Sequence, residues 1–63
     1  MSAIYNPEAN IIARIEALEF KVREIRRKIE HAHNEADRRV LNKQIDELRD
    51  EIAFLTKRLD KQL

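Results

Sequence analysis

The chain has 63 residues, of which 40% are charged and 5% aromatic, with no glycine, one proline, no cysteine and a formal net charge of +1. This is one small domain, with no disulfide framework, no thiolate metal site and no thiol nucleophile. No run approaches the ~18 consecutive apolar residues of a membrane span, and the N-terminus lacks a basic-then-apolar leader, so the expectation is no membrane and a cytoplasmic location.

Residues 1–5 carry two large apolar side chains, Ile4 and Tyr5, and no helical cap. Residues 1–6 read as a tail that either frays or packs Ile4 and Tyr5 on the open end of the molecule or on a partner. A helix start follows: Asn6 is a favoured N-cap, Pro7 suits the first helical position, and Glu8 sets a negative charge on the positive end of the helix dipole.

The first helix is expected over about 7–33. Its apolar stripe is Ile11, Ile15, Leu18, Val22, Ile25 and Ile29, spaced alternately by four and three residues as on one face of a coiled-coil helix. Off that stripe lie Ala9, Ile12, Ala13, Ala17 and Phe20. Together with Ala53, Phe54 and Leu63 they suggest a second apolar face, with Ile12, Phe20, Phe54 and Tyr5 as its interface residues.

The stretch His31 to Asp37 holds no large apolar residue. A second stripe, Leu41, Ile45, Leu48, Ile52, Leu55 and Leu59, begins beyond it, but the two stripes do not share a register. Continuing the first lands on Arg39, Lys43, Asp46 and Asp50. The offset is neither of the insertions, about three or four residues, that coiled coils absorb. Folding the chain back near residue 35 instead aligns six layers: Ile29 with Leu41, Ile25 with Ile45, Val22 with Leu48, Leu18 with Ile52, Ile15 with Leu55, Ile11 with Leu59. The pattern predicts a helical hairpin with a turn over about 34–37, Asn34 taking a left-handed C-terminal cap and Asp37 capping the second helix. The rival is one continuous helix from about 8 to 62, since no central residue forbids it.

The second helix is expected over about 38–62. Its outer face mixes charges, Asp46, Glu47, Asp50 and Glu51 with Arg49, Lys57, Arg58, Asp60 and Lys61, as a solvated face does. Along the chain the charge is polarised. Residues 21–43 hold eight bases and four acids, net +4, residues 1–20 are net −2, and residues 44–63 are net −1. A hairpin gathers this positive charge, with Arg23, Arg26, Arg27, Arg38 and Arg39, toward the bend. Such a cluster suits phosphates or an acidic protein surface, although no aromatic interleaves it for base stacking.

Chemistry is not encoded in a recognisable constellation. His31 and His33 stand two apart, on different helix faces, with no third ligand at a regular spacing. There is no serine–histidine–acid set and no glycine-rich phosphate loop, and surface pairs such as Glu16 and Glu19 have no cleft to shield them. The expectation is a non-enzymatic protein with no cofactor, no metal and no small-molecule substrate.

In length and heptad layout the chain resembles the Rop-type plasmid copy-number proteins, helical hairpins that dimerise into four-helix bundles and bind paired RNA loops. That resemblance implies a dimeric bundle and a nucleic-acid partner, but no Rop functional residue has a matching position here. The segments Ala13–Glu19 and Leu48–Leu59 resemble the SlyX family of small bacterial coiled-coil proteins, as heptads rich in Leu, Glu and Arg do. The resulting expectation is an all-α antiparallel hairpin over residues 7–63. Two helices alone bury one narrow stripe each, so it should dimerise into a four-helix bundle and serve as an adaptor for another protein. The alternative is a Rop-like RNA or DNA binder using the basic tip.

Overall fold

The computed structural model describes residues 6–62, which form two helices, α1 (Pro7–Glu30) and α2 (Glu35–Gln62), packed against each other as a hairpin. The single-helix alternative is thereby excluded. The hairpin is 53 Å long. No helix among the described residues is long and apolar enough to cross a membrane. Ile4, Tyr5 and Leu63 lie outside the described residues.

α1 starts because Asn6 supplies what its first amides lack. The Asn6 side-chain oxygen accepts from the N–H groups of Glu8 (3.1 Å) and Ala9 (3.2 Å), and Pro7, with no N–H to satisfy, takes the first helical position. All twelve stripe residues face inward. Ile11, Leu18, Val22, Ile45 and Leu55 are buried, and the other seven are half-buried. Leu18, 1% exposed, is the centre of the core; Ile11 and Leu55 join it, and Ile15, Leu48, Ile52 and Leu59 pack on that cluster.

The bend is where expectation and structure part. α1 ends at Glu30, not near His33, and α2 begins at Glu35, not at Arg38. No described residue has a positive φ, so Asn34 is not a left-handed cap. α1 instead tightens in its last turn, the N–H of His31 donating to the Lys28 carbonyl and that of Ala32 to the Ile29 carbonyl. Asn34 caps the next helix. Its side-chain oxygen accepts from the Asp37 N–H at 2.8 Å, and its side-chain amide donates to the Asp37 carboxylate at 3.1 Å. Asp37, expected as the cap, therefore sits in the first turn, where its charge and that of Glu35 favour the helix dipole. Arg38 opposes that dipole, but its guanidinium donates to the Ala32 carbonyl at 3.3 Å and ties α2 to the end of α1.

One ion pair spans the helices among the described residues. Arg14 Nη2 lies 3.0 Å from Glu51 Oε2, and Arg14 Nε reaches the same oxygen at 3.3 Å. Arg14 precedes Ile15 by one residue and Glu51 precedes Ile52, so both project on the same flank of the seam, the contact expected if Ile15 faces Leu55 and Leu18 faces Ile52. With side chains 55% and 42% exposed, the pair is screened by water. A double-mutant cycle on Arg14→Ala and Glu51→Ala should give a coupling of no more than about 1 kcal/mol, falling in high salt. A coupling above about 2 kcal/mol would mean the pair is sheltered from solvent by something beyond the hairpin.

Candidate interaction surface

Rotation along each helix sorts the remaining residues into sides. Each residue advances by about 100°. Residues that directly follow a seam position lie on one flank of the hairpin, and residues that directly precede one lie on the other. Because the helices are antiparallel, the rule gives the same flank on both.

The following flank is open. A groove of about 420 Å³ runs along it at mid-length, with Val22, Ile52 and Ala53 lining it. Arg23, Arg26 and Arg49 rim it, and Glu19 is the one acid there. Ile12, 44% exposed, extends this flank toward the open end. The preceding flank carries the Arg14–Glu51 bridge and, near the bend, a shallower hollow of about 280 Å³ lined by Lys28, Ala32, Asp37, Val40 and Leu41.

The residues expected to share a second apolar face are thus divided. Ile12 lies on the grooved flank. Phe54 directly precedes Leu55 and lies on the other. Phe20 stands two residues from both Leu18 and Val22, about 200° from each, and points away from α2. Phe20 and Phe54 are 56% and 60% exposed, and each is covered by an arginine of its own helix, Arg23 and Arg58, both at 5.9 Å from the ring centroid. Such exposed cation–π contacts contribute ~0.5–1 kcal/mol each.

The five arginines expected at the tip are divided as well. Arg23 and Arg26 meet in the groove. Arg38 is engaged with the Ala32 carbonyl. Arg27, two residues from Ile25 and Ile29, points away from α2, and Arg39 follows Arg38 on α2. Arg49, read from sequence as part of a solvated face, joins Arg23 and Arg26 instead. The signal for it was present: Arg49 directly follows Leu48, as Arg26 follows Ile25. Val40, 57% exposed at the bend, was also missed, since it falls just before the first residue of its stripe.

No three His, Asp or Glu residues gather as a metal-ligating group among the described residues. Compared with protein-family models, curated proteins and solved structures, the chain matches none.

Proposed function

We propose that this chain is a small non-enzymatic helical adaptor that self-associates, as a homodimeric four-helix bundle, and binds another protein. The observation that carries the reading is the unfinished seam. Only five of the twelve seam residues are buried, and the other seven keep part of their surface exposed. Aliphatic side chains in that state gain from further burial, at ~25 cal/mol per Å² of apolar surface, and a second hairpin supplies it with the same heptad geometry. Phe20 and Phe54, outward on separate helices, are then left free for the other partner. Aromatic residues of that kind anchor interfaces because they bury much area at little entropic cost.

Small-angle scattering combined with sedimentation equilibrium tests this. The expected result is twice the chain mass, with a longest dimension near that of one hairpin or modestly above it. A single-chain mass at all accessible concentrations would overturn the self-associating part. Binding to short RNA or DNA that weakens steeply with salt, and is lost when Arg26, Arg27, Arg38 and Arg39 are made neutral, would replace the adaptor reading with a nucleic-acid one.

A further inference from the structure

The grooved flank has an apolar lining and a charge pattern that together select an occupant. Deepening the self-associating reading above, on which it rests, we infer that the groove is closed by the same groove of a second copy of this chain, lying inverted, with its bend at the opposite end.

Two ways of stacking these flanks have two-fold symmetry. In one the two bends lie at the same end; in the other they lie at opposite ends and α1 packs antiparallel on α1 of the second copy. The charge distribution separates them. The segment around the bend, residues 21–43, is net +4, while residues 1–20 and 44–63 are net −2 and −1. Bends at the same end set basic against basic. Inversion lays each basic half along the other copy's acidic half, which favours that encounter and that register.

Two sets of local charges favour the inverted form with one position of its axis, against the cost of Arg23 facing its own counterpart near the axis and Glu16 facing the other copy's Glu30. In an isologous interface each residue pair occurs twice, about the two-fold. Placing the axis at the layer of Val22 and Leu48 sets Glu19 of one copy against Arg26 of the other along α1, and Arg26 against Glu19. Along α2 it sets Arg49 against Asp46 of the other copy, and Asp46 against Arg49. The two sets are centred on the same layer, although nothing in either helix alone requires it. These four side chains are all exposed, and none is in an ion pair among the described residues. Arg23 stays at the rim over the Phe20 ring. Ile12 is carried to the neighbourhood of the second copy's bend, which gives this exposed aliphatic a cover. Val22 lies at the axis, and Ile52 and Ala53, about one layer toward the open end, are covered by the segment around Asn42 of the second copy's α2.

Two experiments on the full chain test the inference. The first is a charge reversal read by sedimentation. Glu19→Arg alone, or Arg26→Glu alone, sets like charges face to face twice and should raise the dimer dissociation constant roughly ten- to a hundredfold. The double variant E19R/R26E restores both pairs and should return it to within about threefold of the original. Both positions are exposed, so helix content by circular dichroism stays unchanged. The second is a spin-label distance from His33→Cys. The inverted dimer places the two labels roughly 30–35 Å apart, about twice the rise of the residues between Val22 at the axis and His33. A distance under about 20 Å, or no restoration in the double variant, overturns the inverted interface while leaving the dimer standing. A chain with no measurable dimer overturns both.

Discussion

Leu18→Ala should destabilise the hairpin by about 2–5 kcal/mol, the range for deleting a well-enclosed leucine side chain. Leu18 is the most enclosed side chain described, 1% exposed, and it belongs with Ile11 and Leu55 to the core cluster against which four half-buried side chains pack. Alanine is the best helix former, so α1 loses nothing locally and the change reads packing alone. A domain of this size has a total stability of only about 3–9 kcal/mol. The expected outcome is a midpoint lowered by roughly 8–40 °C, at ~4–8 °C per kcal/mol for small domains. Thermal melts followed by circular dichroism would measure it, at one fixed protein concentration because association adds to apparent stability. Ile12→Ala, at a position 44% exposed, is the comparison and should cost far less. Equal losses at the two positions would mean that Leu18 is not the centre of the core.

The double variant Asn34→Ala/Asp37→Ala should cost about 1–2 kcal/mol, summing a lost N-cap and a lost first-turn acid. With no glycine in the chain, the start of α2 depends on Asn34, whose side chain satisfies the Asp37 N–H, and on the carboxylate it holds in return. The variant also raises helix propensity in the bend, since alanine replaces two poorer helix formers. The hairpin should nevertheless persist. A straight helix would carry Arg39, Lys43, Asp46 and Asp50 into the line of the first stripe, whereas the hairpin sets leucine and isoleucine there. Small-angle scattering decides it: the longest dimension should stay near the original value. A rise to roughly 80 Å, the length of about 55 helical residues, would mean that the cap, not the register, holds the chain folded back.

The bend shows how far a heptad pattern reaches. The six layers require the chain to return somewhere between Ile29 and Leu41, and they point to residue 35 as the centre. They do not say how the residues between are shared between helix and loop. α1 stops one residue past Ile29, while α2 starts six residues before Leu41, so the loop lies to one side of the symmetric centre. The reason is capping chemistry. Asparagine serves either as a left-handed C-cap or as an N-cap, and Asn34 takes the second role because Asp37 stands three residues on to answer it. A similar ambiguity hid Arg49. Its neighbours on α2, Asp46 and Asp50, offer helical partners at the usual spacing, and these masked the fact that it directly follows a seam residue, as Arg23 and Arg26 do.

The sequence by itself determined the start of α1 at Asn6 and Pro7, the twelve side chains of the seam, and the folding back of the chain. Each of these rests on short-range spacing that the 3.6-residue helical repeat turns directly into a face or an end. Tertiary structure decided what depends on the rotation of one helix against the other. It paired Arg14 with Glu51, brought Arg38 to the Ala32 carbonyl, sent Phe20 and Phe54 to different sides, and opened the groove on one flank. Those contacts join residues up to 37 positions apart, and each is set by the relative placement of two elements whose internal periodicities are silent about it.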